Sequence, residues 1–231
     1  MLPQPALRVA VHPGSILQMA RVAGQTLATE RNALIQALKL LGAVIPYSRN
    51  SEIFGEDEPV EYVYRVESGS VRTYKIFTDG RRQIVRFYLP GDIFGIELAD
   101  QHTLSAEAIV DAKILAVKRS ALTALAGRDP TISVELIALT GRELQRVRDR
   151  VLLLAKTAQE RVAGFLLEMA TGATGDVVKL PMSRRDIADY LGLTLETVSR
   201  TFLSLKGAAA IEMPTARCIV LCNRALLNKC A

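Results

Sequence analysis

The hydrophobic pattern changes period three times along this chain, and each change marks a change of element. Residues 1–25 hold Pro3, Pro5, Pro13 and Gly14 with no sustained period, which predicts a loose leader. Over residues 26–41 Leu27, Leu34, Leu38 and Leu41 fall at helical spacings, predicting a short helix. From about residue 51 to 117 the apolar positions come in short, β-branched and aromatic runs: Glu61-Tyr-Val-Tyr-Arg-Val66, Ser70-Val-Arg-Thr-Tyr-Lys-Ile-Phe77 and Gln83-Ile-Val-Arg-Phe-Tyr-Leu89. Ser68-Gly69, Asp79-Gly80, Pro90-Gly91-Asp92 and Gly95 punctuate them, and Asp79-Gly80 between two such runs is a strong hairpin signal. Close-spaced short strands predict an antiparallel barrel or roll.

A helical period returns over residues 131–154. Ile137, Thr140, Leu144, Val147, Val151 and Leu154 recur in alternating steps of 3 and 4, the spacing of a heptad seam. Arg142, Glu143, Arg146, Arg148, Asp149 and Arg150 occupy the opposite face. Such a seam serves either as a dimer interface or as a stripe packed on its own roll. Its sustained period and its place between two domains favour the dimer helix.

From Lys156 onward a third pattern begins. Residues 159–169 read as a helix with Val162, Phe165, Leu166 and Met169 inward, ended by the glycines of Thr171-Gly-Ala-Thr-Gly175. A short strand over 177–180 precedes Pro181. Ser183 caps a helix with Asp186 three residues on, a weakened capping box, and Ile187, Ala188 and Leu191 form its buried face. Gly192 breaks that helix, Thr194 caps the next, and Gly207 closes it. Residues 211–213 and 218–221 read as a closing hairpin, or wing. The sum is an α+β chain: leader (1–25), β-roll (26–130), dimerisation helix (131–155) and winged helix-turn-helix (156–231).

The second helix of the pair divides its faces. Leu195, Val198, Phe202 and Leu205 are expected to face the core, while Glu196, Ser199 and Arg200 at i, i+3 and i+4 share the other face. Arg forks onto guanine and Glu accepts from a cytosine amino group, so this face suits a DNA major groove. Ser183, Arg184, Arg185, Thr194 and Lys206 are placed to meet phosphates. The bland alternative is a solvated helix carrying a fortuitous Glu/Arg pair, which the glycine turn, two caps and wing make the weaker reading.

Composition narrows the function classes. The chain has 231 residues, 49% apolar and 23% charged, with 29 Lys+Arg against 24 Asp+Glu for a formal net charge of +5. The charge is uneven: Glu52, Glu56, Asp57, Glu58, Glu61 and Glu67 crowd one roll segment. Arg184, Arg185, Arg200, Lys206, Arg217, Arg224 and Lys229 lie beyond Ser183. No apolar run has bilayer-spanning length and the first residues lack a signal-peptide pattern, so a cytoplasmic protein is expected. His12 and His102 are the only histidines, with no Gly-rich phosphate loop and no nucleophile motif, so neither a metal site nor an enzyme is expected. Cys218, Cys222 and Cys230 are the only cysteines. Buried wing hydrophobes are their plain reading, and thiol redox control, with Cys230 the most reactive, is the sharper one.

The segment from Ile45 to Leu221 resembles the CRP/Fnr superfamily of bacterial transcription regulators. Val66-Glu-Ser-Gly-Ser-Val71 and Leu89-Pro-Gly-Asp-Ile-Phe-Gly95 resemble its repeating roll turns, and Glu196-Thr-Val-Ser-Arg200 resembles the Fnr/FixK branch. That resemblance implies a homodimer reading TTGAT-type palindromes through Glu196, Ser199 and Arg200. It further implies an activator that contacts RNA polymerase at genes of low-oxygen respiration, nitrogen fixation or denitrification. The cAMP-receptor branch usually has Arg at Leu195 and Gly at Ser199.

Two effectors known in the superfamily lack their residues here. No arginine stands between Arg86 and Arg119 to cradle a cyclic phosphate after Phe94-Gly-Ile-Glu97, so no cAMP binding is expected. No cysteine precedes Cys218, so no iron–sulfur cofactor is expected either. Modification of Ser183 is expected to weaken DNA binding. The tail Ala225-Leu-Leu-Asn-Lys-Cys-Ala231 reads either as a packed last turn or as an address for an ATP-dependent protease. A ligand-sensing regulator and a β-roll enzyme are the competing readings.

Overall fold

The computed structural model describes residues 33–153, 155–170 and 175–230. The leader and the first part of the predicted 26–41 helix lie outside them. The remainder of that helix, α1, runs over 33–41, and Leu34 and Leu38 bury against Val63, Leu115 and Val117 of the roll.

Eight antiparallel strands follow: β1 (Ala43–Tyr47), β2 (Glu52–Phe54), β3 (Tyr62–Ser68), β4 (Val71–Ile76), β5 (Arg82–Tyr88), β6 (Ile93–Phe94), β7 (Ser105–Ala108) and β8 (Ala112–Lys118). They form two four-stranded sheets, ordered β1-β8-β3-β6 and β2-β7-β4-β5. Alternation sends Phe54, Tyr64, Val66, Tyr88, Phe94 and Ile114 between the sheets, where the aromatic rings pack on one another. The Asp79-Gly80 hairpin joins β4 to β5 as expected, with Gly80 at φ +80°. At Gly69 (φ +83°) a Cβ would lie 2.5 Å from the Asp111 carbonyl oxygen, so only glycine lets β3 turn into β4 beside that strand entry.

Helix α2 (Arg119–Ala126), which no sequence signal had marked, leads into α3 (Pro130–Leu153), the predicted long helix. Ile132 and Glu135 are buried on its inner side, with Leu136 and Leu139 against the α1 cluster, and Glu135 accepts from the Leu34 N–H at 3.0 Å. The seam points the other way: Ile137, Leu144, Val147 and Val151 are exposed, from 53 to 71%, and Thr140 with them. It is therefore not a stripe packed on its own roll. Leu154 lies outside the described residues. The charged face is not uniformly solvated, because Glu143 pairs with Arg86 of β5 and Arg150 turns into the molecule.

The C-terminal part comprises α4 (Ala158–Ala170), β9 (Val177–Lys179), α5 (Arg184–Leu191), α6 (Leu195–Gly207), β10 (Ile211–Thr215), β11 (Cys218–Leu221) and α7 (Arg224–Cys230). The wing is three-stranded, ordered β10-β11-β9. Leu227 of α7 is fully buried, so the tail contains a packed turn. One continuous core joins this part to the roll: Ile84, Phe87 and Ile109 cluster with Val162, Phe165, Leu166, Ile187, Val198, Phe202 and Leu205. Phe87 meets Tyr190 and Phe165 at ring-centroid separations of 5.1 and 6.2 Å.

Candidate nucleic-acid interface

The helix-turn-helix is built from local chemistry. Ser183 adopts an extended backbone and its hydroxyl accepts from the Asp186 N–H at 3.1 Å, while Asp186 Oδ2 accepts from the Ser183 N–H at 3.0 Å and from its hydroxyl at 2.7 Å. The capping box is thus complete, although aspartate is shorter than the usual glutamate. Gly192 ends α5 in the left-handed region (φ +65°), and Thr194 caps α6 by accepting from the Thr197 N–H at 3.1 Å.

Helix α6 is anchored by Val198, Phe202 and Leu205, all essentially inaccessible to solvent. Leu195, expected in the core, is instead exposed: it is the first helical residue and projects past the core edge beside Glu196. Gly207 does not close the helix either; it is the last helical residue, and Ala208 is the cap. On the outer face Glu196 and Arg200 pair at 2.5 Å with their side chains 70 and 78% exposed. Ser199 is half-buried, its hydroxyl donating to the Leu195 carbonyl at 2.8 Å. All three base-reading candidates therefore stand together on one accessible face. A surface pair of this kind contributes little to stability and opens at small cost.

The phosphate candidates divide. Arg185, Thr194 and Lys206 are exposed around α5 and α6. Ser183 is half-buried with its hydroxyl committed to Asp186. Arg184 departs from the expected outward placement: its guanidinium lies 3.2 Å from the Phe202 ring centroid and reaches Met213 of the wing at 3.5 Å. Burial lowers its pKa to about 10, so it stays charged at neutral pH while serving the packing of the domain.

A polar network missed by sequence reading lies between α5 and the roll. Asp186 Oδ1 accepts from Arg72 Nη1 of β4 at 3.0 Å and from Arg82 Nη2 of β5 at 2.7 Å. Burial alone would raise the Asp186 carboxyl; the Ser183 hydrogen bonds and the two arginine charges reverse that and hold it below the usual aspartate range. Arg72 also donates to Glu107 at 2.9 Å, and Arg82 to Asp189 at 2.7 and 3.0 Å. The only local hint was arginine inside two strand runs, and its partners lie more than a hundred residues away.

Inside the roll, the segment where a cyclic phosphate would need a cation is closed on itself. Glu97 accepts from the Thr103 N–H at 3.0 Å and bonds His102 Nδ1 at 2.8 Å, and the His102 ring stacks on Phe54 at 3.6 Å. Arg119 donates to the Ala99 and Leu98 carbonyls. Cys222 is exposed, Cys218 and Cys230 are half-buried, and all three are free. Among the described residues no cluster of His, Cys, Asp or Glu could hold a metal ion, and no helix is long and apolar enough to cross a membrane.

Comparison with known proteins places these features in a family. Residues 44–129 match the cyclic nucleotide-binding domain family and residues 160–230 the Crp-like helix-turn-helix domain family. The chain is 45% identical to the nitrogen fixation regulation protein FixK of Azorhizobium caulinodans, over 98% of this chain and 94% of that one. It is 40% identical to the FixK of Bradyrhizobium diazoefficiens, over 78 and 79%. The solved structure of FixK2 from Bradyrhizobium japonicum superposes with a TM-score of 0.80 at 51% identity, covering 82% of this chain and 96% of that one.

Proposed function

Because the chain belongs to the CRP/Fnr family of transcription regulators, we propose that it is a homodimeric, cytoplasmic activator of the FixK type, reading TTGAT-like palindromes at genes of nitrogen fixation and low-oxygen respiration. The observation that carries this reading is the divided α6, with Val198, Phe202 and Leu205 buried and Glu196 and Arg200 presented to solvent beside Ser199. Arg200 would fork onto guanine, Glu196 would accept from a cytosine amino group, and Ser199 would complete the set. Arg185, Thr194 and Lys206 would hold the phosphates and set the register.

Two copies joined along the exposed α3 seam would place two reading helices about one turn of DNA apart, which requires a two-fold related site. RNA polymerase would then be met by surfaces that DNA leaves free. The self-closed Glu97–His102–Thr103 segment supports action without a cyclic nucleotide. A gel shift with purified protein, a TTGAT-type palindrome and no added ligand tests this. Binding at nanomolar protein supports it, and binding only with an added effector would replace it.

One feature bears on the second outcome. A cavity of about 270 Å³ between α1, the roll and α3 is lined by Arg65, Arg86, Arg142, Arg146, Asp92 and Glu135, among others. A small anion there would have to displace carboxylates, since Arg65 pairs with Glu67, Arg86 with Asp92 and Glu143, and Arg146 with Glu143.

A further inference from the structure

The roll grips the helix-turn-helix through two carboxylates of α5, Asp186 and Asp189. Asp186 turns one oxygen to Ser183, the N-cap of α5, and the other to Arg72 and Arg82 of the roll. We propose that Arg72 and Arg82, which belong to neither the reading face nor the dimer seam, are positioning residues for DNA recognition: they fix the orientation of α5–α6 and thereby the half-site spacing that the protein accepts. This rests on the palindromic reading given above.

The geometry is that of a two-point clamp. Asp186 and Asp189 lie one turn apart on the same side of α5, and Arg82 engages both, at 2.7 Å to Asp186 and at 2.7 and 3.0 Å to Asp189. One contact would locate the helix; a second, a turn further along, also stops it pivoting about the first. Arg72 cannot swing away, because Glu107 of the adjacent strand β7 holds its second nitrogen at 2.9 Å. Arg150 of α3 joins the same assembly: its guanidinium lies 4.2 Å from the Tyr190 ring centroid and donates to the carbonyls of Ile84 on β5 (2.8 Å) and Tyr190 on α5 (2.5 Å). Strand, dimer helix and the first helix of the reading pair therefore meet within a few side chains. Helix α6 follows α5 through the three-residue link Gly192–Thr194 and their shared core.

Adhesion and orientation come from different groups. Ile84, Phe87 and Ile109 bury against the C-terminal core and hold the two parts together without direction. Buried charged hydrogen bonds add little net stability beside such a core, but their directionality suits them to select one arrangement. Loss of the clamp should therefore widen the range of accepted DNA geometries more than it weakens the fold.

The experiment compares the full-length protein with Arg82→Gln, with the charge-balanced pair Arg82→Gln/Asp189→Asn, and with Arg82→Lys, which keeps the charge but loses the fork. Each is titrated by gel shift against palindromes whose spacer is shortened or lengthened by single base pairs, and against an isolated half-site. Wild type should prefer one spacing over its neighbours by about tenfold or more, as expected when two helices are held at a fixed separation. In the Gln variants that ratio should fall to roughly threefold with half-site binding unchanged, and the Lys variant should lie between them. A variant profile parallel to wild type across all spacings, whether weaker or equal, would overturn the proposal. Circular dichroism at the assay temperature confirms that each variant is folded; the double variant, which leaves no unpaired charge at position 189, serves if the single one unfolds. Wild-type protein showing no spacing preference would instead refute the palindromic reading itself.

Discussion

Replacing Leu144 by aspartate puts the proposed dimer seam to its most direct test. Leu144 sits in the middle of the exposed stripe and is 53% exposed in the single chain, so about half of its side-chain burial is still to be gained. Full burial of a leucine is worth about 1.5–3 kcal/mol, so pairing across the seam supplies roughly 1 kcal/mol per protomer, or 2 per dimer. Two aspartates facing one another across the two-fold axis add about 2 kcal/mol of repulsion at partial exposure. The sum, near 4 kcal/mol, corresponds to a loss of roughly a thousandfold in the dimer association constant. Sedimentation equilibrium over a wide concentration range measures it, with circular dichroism confirming that the protomer keeps its helix content. Palindrome binding should weaken in step, since dimerisation is coupled to it, while half-site binding persists. An association constant within tenfold of wild type, in a folded variant, would refute the assignment of this stripe to the dimer.

Other outcomes follow from single sites. Arg200→Ala should cost about 1–3 kcal/mol on the specific palindrome and relax the preference at one base pair; equal loss on random DNA in a competition assay would contradict base reading. Gly69→Ala should destabilise the protein by about 3 kcal/mol in urea unfolding, from the positive φ together with the 2.5 Å approach to the Asp111 carbonyl; an unchanged midpoint would show that the turn relaxes freely. The Asp186 carboxyl is held below its ordinary value of 3.8, so its contribution to stability is complete above that value and is lost as pH falls through the lower, folded-state value. Urea unfolding between neutral pH and pH 3 should therefore show an acid-limb slope that is shallower in Asp186→Asn, and identical slopes would sink this assignment.

Much of the architecture was legible because it is written locally. Asp79-Gly80 fixes a hairpin through two adjacent residues, Ser183 with Asp186 closes a cap within one turn, and Gly192 breaks a helix in a left-handed conformation that glycine adopts most readily. The shared outer face of α6 was legible for the same reason, since i, i+3 and i+4 place Glu196, Ser199 and Arg200 together in any helix. Failures began where tertiary context decides. Leu195 has the right spacing for the core but sits where the core stops, and Arg184 looks like a surface cation until Phe202 and Met213 are brought beneath it. The clamp of Arg72 and Arg82 on Asp186 was illegible because folding alone makes those residues neighbours. The strands at the ends of the roll are short, and β1 is largely exposed, so they offer too little alternation to be seen.

The core that runs unbroken from Ile84 and Phe87 into Phe165, Ile187 and Phe202 has a thermodynamic meaning of its own. Two regions that share their interior cannot melt separately without each exposing apolar surface that the other had covered, so calorimetry should record one transition where two family matches suggest two. Operator DNA, bound only at the C-terminal end, would then raise the melting temperature of the distant sheets as well, by the full free energy of its own binding. A fragment cut at Lys156 would expose Phe165 and Tyr190 to water and forfeit that mutual support. What looks like a reader attached to a sensor is, energetically, a single body.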